Sequence, residues 1–373
     1  MIKISLLLAA SLLLAYHSQQ RSEELSKHGV RYRCRLDPAF VGLVLLLSLA
    51  SGLRVHYNDT SNYIAGYARI PELGEFLSDP QNLHLLKNPL FNLFQSLLRT
   101  LRLPAQMLIF ISGVFTQVCF LSFFKRYCRH FTASIFIFFT LGTFCVTISA
   151  IKQVLAMSVM TLAFPYLEKR RWGRFYLYVF IAMLLHTYAL AYAVLPLFIQ
   201  RPWKLFTYLF AFFVMVIMLN FEEAIAGFLD QAGEAGKEIA EYEVFDNNSV
   251  NLLRLGVYAV TPLISLLFRR WIFHDSSEAD HILAHMSIIS FAFMVLGTNS
   301  GANMFGRMGN YFELGTIIML PEMLERTFNK RSYRFISRVA IVCFLGFFVY
   351  ANGIHGRFDS EFHMVDIIGL LLK

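Results

Sequence analysis

Charge is what this chain has least of. Only 16% of its 373 residues are Asp, Glu, Lys or Arg, against 57% hydrophobic residues, 38 Phe and a mean hydropathy of +0.54. A soluble fold cannot hide that much apolar surface, whereas a bilayer accepts it. The five cysteines, Cys34, Cys119, Cys128, Cys145 and Cys343, are scattered without a C-x-x-C pair, which points away from a zinc site and from a disulfide framework. The short alternating segments of a transmembrane barrel are missing as well. The apolar runs are long, so the bundle is helical. No internal repeat and no low-complexity linker divides the chain, and residues 1–373 read as one integral membrane domain. The net charge of +8 does not signal nucleic acid as a partner, because Lys and Arg gather between apolar runs, where orientation signals belong.

What is present is a series of apolar runs. Ile2 to Tyr16 resembles a signal-peptide core, but no small-residue cleavage site follows, so it reads as a retained first span. The basic stretch after it, with Arg21, Lys27, Arg31, Arg33 and Arg35, should face the cytoplasm. A second span, about 39–53, then delivers Arg54-Val55-His56-Tyr57-Asn58-Asp59-Thr60-Ser61-Asn62-Tyr63 to the outer face. Asn88 to Leu101 alternates Leu and Phe with polar residues at helical spacing and predicts an amphipathic interfacial helix. Spans follow at about 104–124, 131–149 and 151–167, then 205–220, 251–268, 281–298, 310–325 and 335–351. Phe175 to Ile199 reads either as one tilted span or as two limbs meeting near His186. Two limbs put Arg201 and Lys204 on the cytoplasmic side with the later basic clusters, and the positive-inside rule favours that arrangement. The prediction is an all-α polytopic membrane bundle of about eleven to thirteen spans, with outer-face loops at about 54–103, 221–249 and 299–310.

Chemistry in such a bundle must come from polar groups held there at a cost. An ionisable side chain at the centre of a span costs about 2.5–3.5 kcal/mol on insertion scales, so each one is a candidate site residue. Four places qualify: Arg54 with Asp59; Lys152-Gln153; His186; and Arg307 with Asn310 and Tyr311. The predicted topology puts all four at the outer face. Each has a plainer reading taken singly. Arg54 and Arg307 fit snorkelling cations, Tyr57, Tyr63 and Tyr311 fit an interfacial aromatic belt, and His186 fits a hydrogen-bonded interior histidine. Lys152 fits pairing with an interior carboxylate or a helix C-terminus. Several cations and one carboxylate on a single face favour function.

The order of these elements resembles a family. Arg54-x-x-x-Asn58-Asp59-Thr60-x-x-Tyr63 is similar to the R-x-x-x-x-D-T-x-x-Y signature of the EpsG-like, Wzy-type polysaccharide polymerases. Ile151-Lys152-Gln153-Val154-Leu155-Ala156, then Arg170-Arg171, then Phe180-Ile181-Ala182-x-x-x-His186, resembles that family's central segment, an R-Q-x-x-A helix, a basic loop and a span ending in a buried His. Phe305-Gly306-Arg307-x-x-x-Tyr311-Phe312 is similar to its late R-x-x-x-Y-F element. The resemblance covers roughly residues 50–315. Two features depart from it: Lys152 stands where the family usually has Arg, and the acidic residue often found before the interfacial helix is absent near Lys87-Asn88-Pro89.

The resemblance implies a membrane glycosyltransferase of a bacterial cytoplasmic (inner) membrane, similar to the multi-spanning, lipid-linked GT-C-like enzymes. Its site would face outward, toward the periplasm. It would join polyprenyl-diphosphate-linked oligosaccharide repeats into exopolysaccharide, capsule or O-antigen, with no metal and no cofactor. A chain-length regulator and a flippase would be its protein partners. Arg54, Lys152 and Arg307 would bind the diphosphate, whose developing charge needs fixed cations. Asp59 and His186 are the candidate bases. Asn58, Thr60, Tyr63, Gln153, Asn310 and Tyr311 would bind sugar. A flippase or transporter of the same lipid-linked oligosaccharide, expected to show broken helices and an inverted repeat, and a polysaccharide acyltransferase, expected to show a paired catalytic His, are the alternatives.

Overall fold

The computed structural model describes residues 1–27, 37–221, 249–299, 302–354 and 358–365, and most of them are helical. They form two compact units. The first takes Met1–Pro165, Trp172–Leu190 and Val339–Lys373, and the second Tyr166–Arg171 and Ala191–Arg338. Arg31, Arg33 and Arg35 of the predicted basic stretch, and nearly all of the predicted 221–249 loop, lie outside the described residues.

Hydropathy overcounted full-length spans. Among the described residues four helices are long and apolar enough to cross a bilayer: Ile2–Glu24, Ala105–Tyr127, Glu278–Leu296 and Lys330–Gly353. The bent pair Phe131–Thr140 and Thr143–Ser149 brings the number to five. Five more apolar runs are helices of only 10–17 residues. A 15-residue helix such as Pro38–Gly52 is about 22 Å long, short of the roughly 30 Å hydrocarbon core. The bend in the pair, 62°, falls at Gly142, whose φ of 94° is one that L side chains rarely adopt. A second break separates Trp172–Leu185 from the 3₁₀ segment Thr187–Phe198, and it falls at His186. The predicted loop at 299–310 is mostly helix: Ala302–Thr327 is continuous and contains Arg307, Asn310 and Tyr311. Its glycines do not break it because they are packing positions. A Cβ at Gly309 would lie 2.6 Å from Met294 Cε, and one at Gly315 would lie 2.2 Å from the Leu283 carbonyl oxygen.

The first unit is organised by α1 (Ile2–Lys27), α2 (Pro38–Gly52) and α6 (Ala105–Tyr127). Helices α2 and α6 meet at Gly52 and Gly113, where a Cβ on Gly113 would stand 3.0 Å from the Gly52 nitrogen. Gln117 then donates to Ser51 Oγ and Thr147 Oγ1, both at 2.9 Å, tying α2 and α6 to Thr143–Ser149. Phe120, Phe124, Phe138, Phe139 and Phe144 fill the space around them with no exposed surface. Phe139 stacks on Phe144 at 4.5 Å across the 62° bend, and such aromatic pairs add roughly 0.5–1.5 kcal/mol beyond burial.

At the N-terminal end of α2, Lys125 Nζ meets Asp37 Oδ2 at 3.1 Å and also donates to Ser18 and Ser22 of α1. Asp37 accepts from the Phe40 backbone N–H at 2.8 Å and so caps α2 as well. Both charged groups are buried. At the opposite end of α2 the late chain folds back: His363–Met364 pairs antiparallel with Arg54–His56, and Val365 N–H donates to the Leu53 carbonyl at 2.8 Å.

The second unit is built on the hairpin of Glu278–Leu296 and Ala302–Thr327, whose backbones approach closely at Gly309 and Gly315. Arg326 closes one end, bonding Asp280 at 2.9 Å and Glu322 at 2.8 Å. On Leu205–Leu219 the exposed side chains are apolar, with Phe213 60% and Leu219 76% exposed, the surface of a lipid-facing helix.

The Lys125–Asp37 pair gives a stability prediction. Lys125→Met or Asp37→Asn alone strands a buried charge or an unmatched polar group and should cost about 3–5 kcal/mol. The double variant should recover part of that loss. Thermal unfolding of the purified protein in detergent checks both statements.

Candidate functional site

Arg54 leaves α2 directly into the short strand Arg54–His56 and is 1% exposed. Its Nε donates to Thr60 Oγ1 at 3.2 Å and its Nη1 to the Ser51 carbonyl oxygen. Gln106 holds the turn by donating to the Gly52 carbonyl at 2.8 Å and the Arg54 carbonyl at 3.0 Å. Among the described residues no carboxylate pairs with this guanidinium; every oxygen it contacts is neutral. Burial lowers its pKa to about 9, with the Tyr63 phenol acting in the opposite sense, so it remains a cation at neutral pH.

Thr60 is fully buried, and its hydroxyl is engaged by Arg54 and by the Tyr57 carbonyl at 2.7 Å. It therefore orients Arg54. Asn58 is exposed in the left-handed region, φ 45°, turning the chain into α3 (Thr60–Tyr67). Asp59 stands at the N-cap of α3 but makes no capping bond. Its half-buried carboxylate has no hydrogen bond or ion pair among the described residues. Tyr57 is held from the far end of the sequence, with its ring 5.1 Å from Phe358 and 6.3 Å from Phe362.

Helix α5 (Pro89–Thr100), predicted as the interfacial helix, gathers the rest of this site. Phe91, with no exposed surface, packs edge-on against Tyr63 at 5.9 Å and lies 5.3 Å from Lys152 Nζ. Lys152 thus rests on an aromatic face, and no carboxylate pairs with it among the described residues. Gln153 beside it is 2% exposed. Asn88, at the head of α5 with φ 52°, accepts from the Thr187 backbone N–H at 3.2 Å. That bond draws in the break at His186, whose ring meets Tyr188 edge-on at 5.1 Å. One helix of the first unit therefore joins Tyr63, Lys152 and the His186 segment. Sequence reading missed Phe91, Asn88 and Gln106. Phe91 shares an apolar helical face with Leu98, which was legible, whereas its role as a bridge was not.

Arg307, Asn310 and Tyr311 belong to the second unit. Arg307 is half-buried, Asn310 is 7% exposed, and Tyr311 is fully buried. Tyr192 donates its phenol to the Tyr311 carbonyl, and the two rings meet at 5.3 Å. Tyr311 is thus an interior residue and does not belong to an aromatic belt.

A helical chain with several bilayer-length apolar helices and buried cations at its helix ends is a multi-pass membrane protein. The family model described as the EpsG family matches residues 39–357, and the chain belongs to that family, a polysaccharide-polymerase-type family of membrane proteins in polysaccharide biosynthesis. No curated protein and no solved structure matches the chain.

The unpaired state of Arg54 yields a contrast with Lys125. Arg54→Met removes a buried charge that no carboxylate among the described residues balances, so the variant should be as thermally stable as the parent, to within about 1 kcal/mol. A loss as large as that of Lys125→Met would make Arg54 structural.

Proposed function

We propose that this protein polymerises polyprenyl-diphosphate-linked oligosaccharide repeats on the non-cytoplasmic face of a bacterial inner membrane. The observation that carries the reading is the contrast among buried or half-buried cations. Lys125 and Arg326 are matched by carboxylates, whereas Arg54 and Lys152 have none among the described residues. A buried cation without a counter-charge is costly unless an anion arrives to complete it. The lipid diphosphate is such an anion.

In this reading an acceptor sugar hydroxyl attacks the anomeric carbon of the donor repeat. A new glycosidic C–O bond forms as the bond from that carbon to the phosphate oxygen breaks, and the electron pair leaves with the diphosphate. Arg54 and Lys152 stabilise the charge that grows there. Asp59 takes the hydroxyl proton, its carboxylate uncommitted to any cap or ion pair among the described residues, and His186 is the second base. Arg307 is assigned the same diphosphate chemistry in the second unit. Asn58, Tyr63, Gln153, Asn310 and Tyr311 remain assigned to sugar hydroxyls, and a chain-length regulator and a flippase are the proposed protein partners.

A transport reading is favoured by one observation, the helix broken by 62° at Gly142. The two separate cleanly. A polymerase elongates purified lipid-linked repeats in detergent, and a transporter moves them only across a sealed vesicle.

Asp59→Asn, His186→Ala and Arg307→Lys should each lower elongation in that detergent assay by about 100-fold or more, the scale of removing a general base or an oriented charge. Normal polymerisation by all three at matched expression would sink the assignment. Lys152→Arg should retain activity and Lys152→Ala should lose it.

A further inference from the structure

The late strand His363–Met364 sets two histidines opposite each other, and the polymerase signature uses neither. His363 partners His56 in the antiparallel pair with Arg54–His56, and both side chains are exposed. Directly opposed side chains on such a pair have Cβ atoms about 4.5–5.5 Å apart. Here the two rings meet edge to face, with their centroids at 6.1 Å and their planes at 67°. His56 stands inside the polar stretch that carries Arg54 and Asp59, yet the glycosyl transfer leaves it without a role.

A carbonyl oxygen only accepts, so the proton on each ring can be placed. His56 Nδ1 lies 2.8 Å from the Glu361 carbonyl oxygen and donates to it. His363 Nε2 lies 2.8 Å from the Ser360 carbonyl oxygen and does the same. In the neutral rings the lone pairs therefore sit on His56 Nε2 and His363 Nδ1, and neither atom has a hydrogen-bond partner among the described residues. A metal-ligating histidine is held in this way, with its other nitrogen fixed by a carbonyl or a carboxylate. The spacing agrees. With a metal about 2.0–2.1 Å from each nitrogen, two ligating rings have centroids between about 5 and 6.4 Å apart, from a tetrahedral to a linear angle. Imidazole suits zinc, copper and nickel, whereas magnesium and calcium seek oxygen.

The pair also joins segments far apart in the chain. Lys3 Nζ donates to the Asp359 and Phe362 carbonyls, both at 2.8 Å, and Val365 N–H donates to the Leu53 carbonyl at 2.8 Å. Phe358 and Phe362 pack on Tyr57. A metal on both imidazoles adds a tie across the sheet, beside the turn that holds Arg54.

We propose that His56 and His363 bind one divalent transition metal of the zinc and copper class, with water completing its shell, and that this metal fastens the late strand to the Arg54 strand. No step of the transfer runs through it, and the site stands whether or not the polymerase reading does.

Zn²⁺ and Cu²⁺ are the probes, added to tag-free, EDTA-stripped full-length protein in detergent. Zn²⁺ should raise the melting temperature, and Cu²⁺ should give an electron paramagnetic resonance spectrum with couplings from two imidazole nitrogens. His56→Asn and His363→Gln each keep an amide donor for the carbonyl and remove the ring lone pair. Each should weaken Zn²⁺ binding by about tenfold or more and leave one coupled nitrogen. A parent that Zn²⁺ does not stabilise would overturn the proposal. So would a Zn²⁺ response that survives in the double variant, which would place the metal elsewhere. If a variant melts lower without metal, the Cu²⁺ spectrum still decides, because two coupled nitrogens in either single variant would exclude this pair.

Discussion

The Arg54 guanidinium, sealed from water at the C-terminal end of α2 and bonded among the described residues to neutral oxygens, is the constraint around which the turn from α2 into α3 is arranged. Removing such a group from water costs several kcal/mol, and hydrogen bonds to a hydroxyl and a carbonyl return only part of that. Its surroundings are arranged to hold it there. Gln106 ties down the backbone on either side, Thr60 turns its hydroxyl toward Nε, and the late strand His363–Met364 closes over the segment. The opposite end of the same helix solves the same problem in the other way. There Lys125 is matched by Asp37 and two serines, and the cluster serves packing alone. One helix thus carries a completed charge at one end and an incomplete one at the other.

Helix α5 gathers a second group of polar residues in the same unit. It is too polar to cross a bilayer and lies against its neighbours by one buried face, Pro89, Phe91, Gln95, Ser96 and Leu98. Through Phe91 it sets the distance between Tyr63 and Lys152, and through Asn88 it fixes the chain at the His186 break. An aromatic ring is well suited to this position. It supports a cation through its face without neutralising it, which leaves the charge available to a ligand. A carboxylate at position 91 would instead have balanced the Lys152 charge.

Much of this was legible in the residues. The scarcity of charge required a helical membrane bundle, and the cost of ionisable groups in lipid singled out Arg54, Asp59, Lys152, His186 and Arg307. The break at His186 was also visible, because only two limbs kept Arg201 and Lys204 with the other basic clusters. The helical state of residues 302–310 was not. Gly and Asn there have loop propensity, which close packing of Gly309 and Gly315 on the facing helix overrides. The number of full-length spans was overestimated for a related reason. Hydropathy records how apolar a run is, and helices of only 10–17 residues are as apolar here as those long enough to cross a bilayer.

Composition and order by themselves determined the solvent this protein folds in, its helical class and the family to which its motifs belong. Those properties follow from local terms, the transfer cost of each side chain and the spacing of a few polar ones, and local terms survive without a fold. Which cations are balanced was decided only by tertiary structure. Asp37 and Lys125 are 88 positions apart and meet at 3.1 Å, whereas Asp59, close to Arg54 in sequence, makes neither a cap nor an ion pair with it among the described residues. Pairing depends on distances of 3–4 Å between side chains on different helices, and no pattern along the chain carries that information.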